Sequence, residues 1–128
     1  RVHFEVADAC NLGPAHRGYD LVFAGNLIDR LRDPGSFLAS VHQLLDERGV
    51  LVISSPYTLL EEFTPRSKWI GGFQRHGVPF TVLDGMKEIL APHFELIQEP
   101  VDVPFVIRET ARKYQHSIAE LTAWQRKV

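Results

Sequence analysis

A strand, a capped helix and a second strand in succession constrain this chain more than any other feature. Two short apolar runs, Asp20-Leu21-Val22-Phe23-Ala24 and Val50-Leu51-Val52-Ile53, lack polar alternation. Strands read this way when both faces of a parallel sheet are covered. Between them Asp33 and Pro34 supply an N-cap and a first-turn proline. Phe37, Leu38, Val41, Leu44 and Leu45 then recur at helical spacing, which predicts a helix stopped by Gly49. Such a unit crosses over between parallel strands, so the loops after Ala24 and Ile53 share one C-terminal sheet edge. Open α/β sheets receive their ligands at that edge.

The flanking segments read less regularly. Val2, Phe4 and Val6 alternate with His3 and Glu5, predicting a strand with Asp8 just past its end. Residues 56–79 have no sustained period but carry Tyr57, Phe63, Trp69, Phe73 and a Gly71-Gly72 pair, as a functional loop or lid does. A short helix is expected over Val82–Leu90, weakened by Gly85. Phe94 to Gln98 reads as a strand, and the period of two from Ile118 to Trp124 as another. Pro100 and Pro104 make the stretch between them a bent connection or an edge.

Composition excludes several classes of function. The chain has 128 residues, 45% of them hydrophobic, enough for one domain or part of one. Its 14 basic and 16 acidic residues leave a net charge of −2, too balanced for nucleic acid as the main partner. Cys10 is the single cysteine and reads as a small core residue; with no disulfide and no zinc-like spacing, no metal site and a reducing, cytoplasmic setting are expected. No apolar run approaches the roughly 20 residues that cross a bilayer, so no membrane partner is expected.

The order of elements, with Asp8-Ala9 after a first strand and a terminal strand pair, resembles class I S-adenosylmethionine-dependent methyltransferases from their third strand to their seventh. The resemblance implies a Rossmann-like α/β sheet, mostly parallel with a C-terminal antiparallel hairpin, whose N-terminal strands are missing from residues 1–128. It implies S-adenosylmethionine as cofactor, with Asp8 receiving the adenine amino group, Ala9 beside it, and Asn26 facing the reacting methyl. An ionised aspartate only accepts hydrogen bonds and so selects an exocyclic amine. The glycine-rich loop of that fold has no counterpart, since no Gly-x-Gly occurs.

A narrower set of motifs runs along the chain. Asn26-Leu27-Ile28-Asp29-Arg30-Leu31, Ser55-Pro56-Tyr57-Thr58, Glu61-Glu62-Phe63-Thr64-Pro65-Arg66, Trp69-Ile70-Gly71-Gly72-Phe73 and Asp102-Val103-Pro104-Phe105-Val106-Ile107-Arg108-Glu109-Thr110 follow in order. Together they are similar to the C-terminal methyltransferase domain of ovothiol-biosynthesis enzymes. That similarity implies methylation of an imidazole nitrogen of a small thiol-bearing histidine, with a sulfoxide-synthase domain as a possible upstream partner.

On this reading Tyr57 flanks or hydrogen-bonds the acceptor ring, and His116 accepts or orients its proton. Glu61 meets the substrate ammonium, Trp69 with Phe73 covers the site, and Arg108 captures the carboxylate through its planar fork. Each has a plainer reading: turn residue for Asn26, packing for Trp69, solvated acid for Glu61, ion pair with Asp102 or Glu109 for Arg108, surface or core histidine for His116. The competing functional class is a non-catalytic, methyltransferase-like domain kept for docking.

Overall fold

The predicted crossover forms. In the computed structural model, which describes all residues Arg1–Val128, β1 (Tyr19–Gly25) and β2 (Leu45–Ser55) run parallel, with Val22 beside Leu51 and Ala24 beside Ile53. The helix between them, α1 (Pro34–Ser40), starts where expected: the Asp33 carboxylate accepts from the Ser36 backbone N–H at 3.1 Å, and Pro34 occupies the first turn. It ends earlier than the spacing predicts. Val41–Leu44 tighten into a 3₁₀ turn and Leu45 already opens β2. Val41 and Leu45 are buried in the core, so the apolar spacing persists although the backbone has left the helix. Gly49 therefore lies inside a strand, in a stretch where Arg48 takes φ 65° and the β1–β2 register jumps from Tyr19↔Leu45 to Leu21↔Val50.

After β2, residues 56–72 form a covering loop with one 3₁₀ turn, Arg66–Lys68. A small hairpin follows, β3 (Phe73–Arg75) and β4 (Val78–Phe80), turned at His76-Gly77 with φ 55° and 77°. Two successive positive φ values are the signature of a type I′ turn. The loop is stapled down at several points. The buried Thr64 hydroxyl donates to the Leu31 carbonyl, Trp69 Nε1 donates to the Thr64 carbonyl at 3.0 Å, and Ile70 enters the core.

α2 (Val82–Leu90) forms despite Gly85. Its start is fixed by a reciprocal cap: Thr81 Oγ1 accepts from the Asp84 N–H at 3.1 Å while Asp84 Oδ2 accepts from the Thr81 N–H at 2.9 Å. Those bonds hold the Asp84 carboxyl below the usual aspartate range. Val82, Met86 and Leu90 then turn one face into the core. Gly85 is the residue the packing requires, because a side chain there would drive into the Ile70 carbonyl. A side chain at Gly71 would likewise overlap the Thr81 carbonyl.

The rest of the sheet is β5 (Phe94–Leu96), β6 (Val101–Thr110) and β7 (Lys113–Arg126). The strand order is β1-β2-β7-β5, with β6 also on β7. Only the β1–β2 pair is parallel; β7 runs antiparallel to β2, β5 and β6. The sheet is thus mixed, not mostly parallel, since only β1 and β2 are joined by a crossover. The expected terminal hairpin is β6–β7. The stretch read as a bent connection around Pro104 is strand β6, tolerated because β6 pairs on one side alone. The strand read over Phe94–Gln98 stops at Leu96.

Residues 1–18 form no strand. Val2, Phe4 and Val6 are 74%, 89% and 104% exposed, and no backbone pairs with them. Alternation makes a strand only where an edge is available to pair with it. This segment is instead tied by a 2.8 Å contact between Glu5 Oε1 and His16 Nε2 and by Asp8 Oδ1 accepting from the Cys10 N–H at 2.9 Å.

Helices and loop cover one sheet face. Val22, Ala24, Leu51, Ile53 and Trp124 point there into the single core. The opposite face carries Leu21, Phe23, Val101 and Val103, all exposed. No helix is long and apolar enough to cross a membrane.

A stacked histidine pair ties the end of α1 to the end of α2. The His42 and His93 rings lie 3.7 Å apart at 12°. Burial, His93 and the Arg126 guanidinium together lower the His42 pKa. The unfolded chain therefore binds more protons in acid: stability from this group is full above about pH 6.5, the free histidine value, and is lost as pH falls below it. His42→Gln is expected to flatten the acid side of the stability profile, read as denaturation midpoints from about pH 8 down to about pH 5. An equal loss in both proteins would place the titrating group elsewhere.

Candidate functional site

β1 and β2 end side by side, and their C-terminal loops are bound to each other. The Asn26 N–H donates to the Ser54 carbonyl at 2.7 Å, and Ser54 Oγ donates to Asn26 Oδ1 at 3.3 Å. Asn26 takes φ 50°, a left-handed conformation that asparagine tolerates better than most residues. A 3₁₀ turn, Ile28–Arg30, follows. Arg30 Nη1 bridges the two loops by donating to the Asp29 carbonyl at 3.1 Å and the Thr58 carbonyl at 2.9 Å. Its guanidinium also lies 4.7 Å from the centre of the Phe63 ring.

A cleft of about 200 Å³ opens over this edge. The loops contribute Asn26, Asp29, Arg30, Pro56 and Thr58. The β6–β7 hairpin closes it with Phe105, Ile107, Gln115 and Ser117. Enclosed sites for larger ligands run to about 300–1,000 Å³, so the cleft suits one small molecule or one end of a larger one. A second recess, on the other side of Arg30, is lined by Asp8, Arg32, Asp33 and Lys68. A larger cavity of about 530 Å³ lies apart from the edge, between residues 9–17 and the end of α1.

The predicted site residues separate into those that meet and those that do not. Asn26 lines the cleft, and Asp8 lines the adjacent recess. Ala9 faces the larger cavity instead. Tyr57 sits between two cleft residues but turns away: its backbone takes φ 57°, its N–H donates to Ser55 Oγ at 3.0 Å, and its phenol donates to Glu120 Oε1 at 2.7 Å. Burial, followed by the Glu120 bond and charge, pushes the Tyr57 pKa far above the ordinary phenol value. The group stays protonated and cannot act as a base near neutral pH.

Arg108 and His116 share a hairpin face, because Val106 pairs with His116 and Arg108 with Tyr114. Side chains alternate along a strand, so this is the face opposite Phe105, Ile107, Gln115 and Ser117. Arg108 is exposed and donates through Nε to the Thr110 carbonyl at 3.1 Å. Glu61 is exposed, 3.9 Å from Arg66. Trp69 anchors the covering loop and has the Arg66 guanidinium 5.1 Å from its ring centre. None of these four lines the cleft.

Asp29 was not singled out in the sequence. It is 2% exposed, at the cleft, and its Oδ1 has no hydrogen-bond partner. The signal available was an acid set between Ile28 and Leu31, both core residues. Only the fold shows the acid to be buried with them.

The chain as a whole superposes on known structures. A structure solved in connection with the conversion of a disulfide bond into a thioacetal group during echinomycin biosynthesis aligns over 97% of this chain and 55% of its own, with TM-score 0.62 and 17% identity. A SAM-dependent methyltransferase from Methanosarcina mazei aligns over 100% of this chain and 68% of its own, with TM-score 0.63 and 14% identity. The fold is that of SAM-dependent methyltransferases. The [4+2]-cyclase SpnF shares it, at TM-score 0.61 and 14% identity over 100% of this chain and 58% of its own. The fold alone therefore does not decide the reaction. The chain spans little more than half the length of two of these structures. Neither a protein-family model nor a curated protein sequence matches it.

S-adenosylmethionine fits these residues in part. One oxygen of Asp8 is taken by the Cys10 N–H, and the other has no hydrogen bond to the protein. For the ribose and methionine portions there is no glycine-rich cradle within the 128 residues.

Proposed function

We propose that this chain belongs to a SAM-dependent N-methyltransferase acting on the imidazole ring of a thiol-bearing histidine, with residues 1–128 forming the C-terminal part of its domain. The observation that carries the reading is the small polar cleft at the joined ends of β1 and β2, next to the Asp8 recess across Arg30. The ordered motifs from Asn26 to Thr110 supply its chemical class. When bound, the cofactor supplies an electrophilic methyl group.

The residues present have a modest task. A neutral imidazole nitrogen already carries a lone pair, so positioning provides much of the acceleration and no strong base is needed. That suits a site whose nearest phenol, Tyr57, stays protonated. Phe105 and Ile107 offer an apolar wall to the ring, while Asn26, Gln115 and Ser117 offer hydrogen bonds that select its tautomer. Arg108, on the other hairpin face, is left out of the acceptor contacts.

The test is transfer of a labelled methyl group from S-adenosylmethionine to a thiol-histidine, compared with histidine and with a simple thiol. Label on a ring nitrogen of the thiol-histidine is expected. Label on sulfur, or on no acceptor with cofactor bound, overturns the reading. One observation favours the alternative of a docking domain, namely the uncovered apolar face with Leu21 and Phe23. Cofactor-free association through that face, without methyl transfer, would support it.

A further inference from the structure

Asp29 has a charge that the protein does not fully use. Its side chain is 3% exposed. The Arg30 guanidinium stands 3.6 Å from Oδ2 but is committed to the Asp29 and Thr58 carbonyls and to the Phe63 ring. Oδ1 has no partner. A buried carboxylate oxygen without a donor is among the more costly defects a fold can retain, and it calls for an explanation such as a bound partner or a functional role.

The surroundings indicate what that is. Asp29 lines the cleft with neutral hydrogen-bonding groups, Asn26, Thr58, Gln115 and Ser117, and the only cation there is the occupied Arg30. An anionic ligand group would face Asp29 at close range with no free cation. A ligand N–H, and best a protonated amine, would supply the missing donor and balance the charge.

We propose that Asp29 is the anchor for a ligand's ammonium group in this cleft. This deepens the acceptor reading above and rests on it: the bound group is the α-ammonium of an amino-acid acceptor, with its ring toward Asn26. The role expected of Glu61 from the sequence passes to Asp29. Because Asp29 acts on binding and orientation, not on the reacting nitrogen, it is a specificity residue.

Two measurements test this. In the first, a thiol-histidine and its deaminated analogue are titrated into the protein and into Asp29→Asn, with thermal unfolding followed in parallel. The substitution keeps the shape and removes the charge. It is expected to weaken the amine-bearing ligand at least tenfold and the deaminated one less than twofold. Equal weakening of both, or of neither, overturns the ammonium anchor. In the second, the carbon-13 signal of the Asp29 carboxyl in the unmodified protein is followed while ethylammonium and then acetate are added, so a variant that fails to fold does not decide the matter. A saturable shift with ethylammonium alone is expected; no shift, or the same shift with both salts, overturns the proposal. Should neither histidine ligand bind while ethylammonium moves the signal, the acceptor assignment fails and the ammonium site stands.

Discussion

Gly85→Ala is expected to destabilise the protein by about 3 kcal/mol or more, although alanine is the better helix former by about 1 kcal/mol. The steric term wins because the new Cβ would overlap the Ile70 backbone carbonyl, which cannot swing aside as a side-chain end can. Ile70 is anchored as well, since it enters the core and the following Gly71 is pressed against the Thr81 carbonyl. At roughly 4 °C per kcal/mol for a domain of this size, the melting temperature should fall by about 12 °C. Gly13→Ala is the control, because an added methyl there meets nothing within 4 Å. If both variants melt together with the parent, the covering loop is not packed on α2 as described.

The largest effect on activity is expected from Asn26→Gly. Glycine accepts φ 50° without strain, so the turn survives while the amide that faces the cleft is lost. On the proposed function, methyl transfer to the thiol-histidine by a cofactor-loaded enzyme should fall by about 100-fold, the scale of losing one positioned polar group at a reacting centre. Stability should fall by about 1 kcal/mol, because the Ser54 hydroxyl loses its Asn26 Oδ1 acceptor, so a denaturation curve taken beside the kinetics separates the two effects. A rate within about threefold of the parent would make Asn26 a turn residue and nothing more.

How much of this was legible in the sequence depends on the range of each signal. The start of α1 was readable because its determinants are local, Asp33-Pro34 acting within one turn, whereas the Thr81–Asp84 cap of α2 emerges only in the structure. β1 and β2 showed as apolar runs, and the shared ligand edge followed from the crossover between them. The end of α1 was not readable, because Val41 and Leu45 satisfy helical spacing and core burial alike. The Val2–Val6 alternation carried no information about whether a partner edge existed. At the site, position along the chain put Asn26 just past the end of β1, but the strand expected before Asp8 is absent, and facing direction was a matter of strand register. A single pairing, Val106 with His116, turns Arg108 and His116 away from the cleft that Phe105 and Ile107 line.

The place of β7 in the sheet has a consequence for how the chain is made. β5 and β6 have no strand partner other than β7, and the inner edge of β2 is closed by β7 alone. During synthesis β1, β2 and both helices leave the ribosome with that edge bare, and β5 and β6 follow with no strand to pair with. The strand that completes it, Lys113–Arg126, is made after both and must insert between β2 and β5 already waiting on either side. The sheet then closes in one step once β7 has been made, and a ribosome stalled before Lys113 holds a nascent chain with open edges that chaperones would be expected to bind.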